Sequence, residues 1–121
     1  MCAEIGSNIR AENTMFERFE QVMALEPNAL ESLLFRGDAV EQVWAAWSLG
    51  LARGDAAAPL IRDALGCADH PGTRRHLAVV LAGFGDRKVL NALARRDPDE
   101  AVRRTASSLL ERIGPNDDGA W

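Results

Sequence analysis

The stretch DPDEAVRRTASSLLERIG, from Asp97 to Gly114, decides the fold. Asp97 followed by Glu100 has the spacing of a capping box with an acidic cap. Pro98 stands where a first helical residue tolerates the loss of its N–H. Val102, Thr105, Ala106, Leu109, Leu110 and Ile113 then recur with helical spacing, and Gly114 offers a stop, which predicts a helix over 98–113. The stretch has an echo upstream. In TRRHLAVVLAGFG, from Thr73, Arg74 matches Arg103, Arg75 matches Arg104, Leu81 matches Leu110 and Gly85 matches Gly114, all at a spacing of 29. QVWAAWSLGLARG, from Gln42, fits the same frame more loosely, with Leu49 opposite Leu81. Each unit is a long helix, with a shorter helix between units. Such a unit cannot bury its apolar face alone, so neighbours must stack into one continuous core.

Outward from these repeats, three Gly-Asp pairs punctuate the chain: Gly37-Asp38, Gly54-Asp55 and Gly85-Asp86. Each offers a left-handed helix stop followed by an N-cap acceptor. Asp38 with Glu41 has capping-box spacing, Thr14 to Glu17 is a further possible start, and Asn28 a further cap. Apolar stripes between these marks predict helices near 9–25, 28–36, 39–53, 57–65, 71–84, 87–96 and 98–113. No stretch alternates with period two over a strand's length. The short linkers suit antiparallel helix pairs, and the ending PNDDGAW, 115–121, reads as a flexible tail.

The Asp-Pro turn, the Val-Arg pair, the small residues after it, the leucines and the terminal glycine of Asp97–Gly114 resemble the HEAT-like repeat, in the short form also seen in phycobilisome lyases. The second repeat keeps Arg74, Leu81, Gly83, Phe84, Gly85 and Asp86 but carries Thr73 where the pattern has valine, and the first has lost the arginine. The resemblance covers about residues 28 to 115. It implies an all-α fold, an α-solenoid of about seven antiparallel helices: a capping helix 9–25, then helix pairs 28–54, 55–85 and 86–114 in a single domain. It also implies a contact surface rather than a chemistry. In the family the aspartate of the turn and an arginine six positions on tie neighbouring repeats together. Here those are Asp97 and Arg103, and Asp69 with Arg75 has the same separation, so at least one member of each arginine pair, Arg74–Arg75 and Arg103–Arg104, is expected to hold the stack.

Composition agrees with a folded helical domain. The chain has 121 residues, 47% hydrophobic and 26% charged, with 6% aromatic and no tyrosine, which sets it among soluble globular proteins rather than disordered ones. No apolar run approaches the roughly 20 residues of a membrane helix. The start MCAEIGSNIR lacks a basic segment followed by an apolar one, so no signal peptide is expected, and Cys2 does not read as a lipoprotein site. Cys2 and Cys67 read as free thiols, and the expected location is the cytoplasm. The net charge of −4 conceals an asymmetry. Residues 1–60 hold four Arg against nine Asp and Glu, whereas Arg74 to Arg112 hold nine basic against five acidic residues. A basic second half can steer an anionic partner.

Arg104, Ser108 and Arg112 share one helix face at i, i+4 and i+8, opposite the apolar stripe. Carried through the repeat alignment, that row reads Arg75, Val79, Gly83 and then Val43, Trp47, Leu51. A row that is polar in the last repeat turns apolar towards the N-terminus. Exposed apolar clusters mark contact sites, and Trp and Arg are favoured anchors. The expected partner-binding surface is therefore Val43, Trp47, Val79, Arg75, Arg104 and Arg112, and the expected partner another protein, in an adaptor, scaffold or immunity-type role. The alternative is that helix 9–25, through Met15, Phe16 and Phe19, covers this row and makes Trp44 and Trp47 core. Self-association through the same row is a further alternative. Nucleic-acid binding through the Arg pairs of the second half is the competing function. Adjacent helical residues point about 100° apart, so the pairs do not all converge, and a pI near 5.1 opposes it. His70 and His76 lack metal-ligand spacing, and Cys67 has neither a cysteine partner nor an oxyanion motif. Neither a cofactor, a metal nor an enzymatic activity is expected.

Overall fold

The computed structural model describes residues 11–113, with side chains from Met15 onward. Seven α-helices follow one another among them, with no strand: α1 (Ala11–Met23), α2 (Pro27–Arg36), α3 (Ala39–Arg53), α4 (Ala58–Cys67), α5 (Pro71–Gly83), α6 (Arg87–Arg96) and α7 (Glu100–Ile113). The tail 115–121, Cys2 and the first two residues of the expected helix 9–25 lie outside the described residues.

Local chemistry explains most boundaries and corrects several expected ones. Asp38 and Glu41 form a reciprocal capping box at the start of α3. Gly85, at φ 73°, ends α5 in the left-handed conformation and lets the Asp86 N–H return to the Leu81 carbonyl. Gly37 ends α2 at φ −70°, so no left-handed residue is used there. Between α3 and α4 a 3₁₀ turn, Gly54–Ala57, takes the place of an Asp55 cap. Asn28 lies inside α2, whose first residue is Pro27, and Thr14 lies inside α1. Helix α7 begins at Glu100 instead of 98, capped by Asp99 on the Val102 N–H. Asp97 does not make that cap because its carboxylate is engaged elsewhere, as described below.

The helices pair as α2/α3, α4/α5 and α6/α7, and the long helices α3, α5 and α7 lie side by side in one layer. Helix α1 packs on α3 and extends that layer. This is an all-α solenoid. Its core takes at least one large, fully buried side chain from each of α2 to α7: Leu34, Leu49, Ile61, Leu77, Leu81, Leu90 and Val102. Ala45, Ala46, Ala64, Ala78 and Ala106 let backbones approach between them. The Phe84 ring packs over Gly50, where an added Cβ would stand 3.1 Å from it. Because the core is continuous across repeats, Leu81→Ala costs about 2–5 kcal/mol. Circular dichroism on urea titration should show one transition at a lower midpoint; a separate early transition would mean the repeats unfold independently.

Candidate functional site

The repeats are joined by an arginine, although not in the expected register. Arg74 meets the Asp97 carboxylate with two bonds, Nε to Oδ2 at 2.8 Å and Nη2 to Oδ1 at 3.0 Å. Its Nη1 donates to the carbonyls of Ala68 and Asp69 at 3.0 and 2.9 Å. Arg103, its counterpart, donates to the Asp97 carbonyl at 2.6 Å. The aspartate of the turn is thus read by the arginine of the preceding repeat, and each arginine also holds a carbonyl six residues back. Asp69 meets Arg74 through its backbone carbonyl, and Arg75 turns away to Thr105, Nε to Oγ1 3.2 Å. The position equivalent to Asp97 in the second repeat is Ala68, so an Asp69–Arg75 link has no geometric basis. Asp97 also accepts the Asp99 N–H at 2.9 Å. Burial pushes its carboxyl up, but the Arg74 guanidinium, the Asp99 N–H and nearby Arg103 outweigh that and hold it below the usual carboxylate range. At the corresponding place in α3, Gln42 donates to the Leu34 carbonyl of its own repeat, 3.1 Å.

Among the described residues the long-helix layer leaves one face free. On it Trp47, Leu51 and Val79 are 45%, 75% and 38% exposed, and Arg75, Arg104, Ser108 and Arg112 are exposed beside them. Between α5 and α7, Val79, Arg104, Ser108 and Arg112 line a shallow groove of about 270 Å³. Arg104 is paired with Glu100 at 2.9 Å, one turn back on its own helix, with both side chains largely in solvent. Val43 departs from the row: it is half-buried and lines a separate cavity with Trp44.

The two tryptophans separate. Phe19 of α1 meets Trp44 edge-on, with ring centres 5.3 Å apart. The Arg18 guanidinium stands 5.9 Å from the Trp44 ring centre while pairing with Asp38 and Glu41. Helix α1 therefore covers Trp44 and leaves Trp47 open. Sequence reading took Met15, Phe16 and Phe19 only as capping residues; all three stay exposed and extend the apolar surface onto α1.

The basic residues divide between surfaces. Arg74 and Arg103 are engaged between repeats, Arg75, Arg104 and Arg112 lie on the long-helix face, and Lys88, Arg95 and Arg96 lie together along α6 with Asn91. Cys67 is an exposed free thiol. Among the described residues no three His, Cys, Asp or Glu side chains gather as metal ligands, and no helix is long and apolar enough to cross a membrane.

The family model described as HEAT repeats matches residues 27–111, more than half of the chain. The chain belongs to the HEAT-repeat family. No curated protein and no solved structure matches it. HEAT repeats are commonly protein-interaction scaffolds and generally non-catalytic. In this HEAT solenoid the stretch that carries the resemblance, Asp97–Gly114, also supplies the aspartate through which repeats are joined.

Proposed function

We propose that the protein is a non-catalytic protein-binding module whose partner settles on the free face of the long helices. The supporting observation is the exposed line of Trp47, Leu51 and Val79, which runs into a groove edged by Arg104 and Arg112. Burying such a preformed face supplies affinity, and the arginines set orientation and association rate for a partner carrying carboxylates nearby. Val43, half-buried and lining the cavity with Trp44, stands outside this face.

The test is capture from native lysate with wild type, Trp47→Glu and a double variant, Arg75→Glu with Arg104→Glu, each with and without nuclease. A protein partner that survives nuclease and vanishes with Trp47→Glu supports the reading. The double variant should weaken the same capture and reduce its salt dependence. Recovery of nucleic acid alone, indifferent to Trp47 and lost with the arginines, moves the function to the basic half.

A further inference from the structure

Arg18, Arg53, Arg62, Arg74 and Arg104 each meet a carboxylate. Lys88, Arg95 and Arg96 do not: among the described residues none of these three side chains makes an ion pair. All three are exposed along α6, with Asn91 and Ala92 between them. Lys88 and Arg95 lie two turns apart on one row of the helix. Like charges gathered without a counter-charge hold a positive field over that side of α6.

Ala92 and Arg96 also line a groove of about 460 Å³ between α4 and α6. Its lining is largely apolar, with Leu65, Val89 and Leu93. At Gly66, on the α4 side, an added Cβ would meet nothing within 4 Å, so the groove is open to a side chain from outside. Asp97, which lines the same groove, is taken by Arg74, and nearby Arg62 is taken by Asp86. Neither carboxylate neutralises Arg96.

The chain carries a segment of matching chemistry. Residues 114–121, GPNDDGAW, hold two acids, Asp117 and Asp118, no base, and Trp121 three positions on. They follow α7, which a three-residue link, 97–99, joins to α6 as an antiparallel partner. The 10 residues of α6 span about 15 Å and the 14 of α7 about 21 Å. Ile113 therefore stands about one turn beyond the start of α6. An extended chain covers up to about 3.5 Å per residue. Asp117 and Asp118 can thus reach Lys88, and Trp121 can reach Ala92 and the groove beside it.

We propose that residues 114–121 fold back over α6, setting Asp117 and Asp118 against Lys88 and Arg95 and the Trp121 indole in the groove between α4 and α6. Exposed ion pairs contribute little alone, so burial of the indole supplies most of the docking. The docked segment shields the basic surface of α6 from other anions. Trp47, Val79 and the groove at Arg104 belong to the long helices, so this inference does not depend on the protein-binding reading.

The test attaches a nitroxide to Cys67, an exposed thiol between the groove residues Gly66 and Ala68, in the whole chain with Cys2→Ser. In nitrogen–proton NMR the Trp121 indole signal, assigned by its loss in Trp121→Phe, should lose most of its intensity compared with the reduced label. That loss should disappear in Lys88→Glu with Arg95→Glu and return when Asp117→Lys and Asp118→Lys are added. It should also weaken in about 1 M salt, where screening acts within about 3 Å. Circular dichroism of these variants should match wild type, since every substituted side chain on α6 is exposed. Trp121→Ala, followed at the Ala120 amide, should abolish the effect as well. An indole signal that keeps its intensity overturns the proposal, as does broadening indifferent to the charge reversals. Broadening of isotope-labelled protein by added spin-labelled protein would assign the contact to a second copy and overturn it too.

Discussion

Replacing Arg74 with alanine lowers the free energy of unfolding by about 3–5 kcal/mol, read from urea titration. The loss is large because Asp97 stays behind with a side chain only 3% exposed. A buried carboxylate without its cation keeps the cost of leaving water and loses the compensation. Arg75→Ala, one residue along, changes stability by no more than about 0.5 kcal/mol, as expected of an exposed side chain. Equal losses from the two variants would place the joint at the wrong arginine. Acid gives a second check. The folded pKa of Asp97 is depressed, because burial, which raises it, is outweighed by Arg74, the Asp99 N–H and Arg103. A depressed carboxyl stabilises the fold above its unfolded pKa, and that contribution disappears as pH falls through the folded value. The gap between wild type and Arg74→Ala should therefore be full at neutral pH and narrow through the carboxylate range. A gap of the same size at pH 7 and pH 3 would mean that Arg74 acts by packing rather than by charge.

Trp47→Glu should weaken the protein partner's affinity by about 30-fold or more, measured by titration calorimetry once the partner is in hand. The indole is 45% exposed on the free face, so the substitution removes an anchor and sets a carboxylate in its place without opening the core. Helical circular dichroism and melting temperature should stay close to wild type, since glutamate is a good helix former. Trp44→Ala makes the opposite pattern, with stability falling as the packing against Phe19 is lost. Unfolding of Trp47→Glu would place Trp47 in the core and remove the proposed face.

Periodicity and turn chemistry made the helices legible. The apolar spacing of Val102, Ala106 and Leu109 and the Asp38–Glu41 box are local signals, and local hydrogen bonding sets both. The register of the inter-repeat bond was harder to read. Two separations of six, Asp97–Arg103 and Asp69–Arg75, look alike in sequence, but the 29-residue frame sets Asp97 against Ala68. Following that frame strictly would have singled out Arg74. The division between Trp44 and Trp47 depends on where α1 packs, which is tertiary information that no spacing carries. Thr73 was visible as a departure from valine. That its hydroxyl is buried without a hydrogen-bond partner is tertiary information.

Arg74 reaches forward to the next repeat, whereas Gln42, its counterpart, reaches back into its own. In a stack whose stability sums intrinsic and nearest-neighbour contributions, only a bond that crosses a seam strengthens the coupling between units. The solenoid therefore has a stiff carboxyl-terminal end and a softer amino-terminal one, and amide exchange in α2 and α3 should run ahead of exchange in α5 and α7. Trp47 and Val79 stand on opposite sides of the softer seam. A partner resting on both acts as a staple, and its arrival should slow exchange most in the helices that open first.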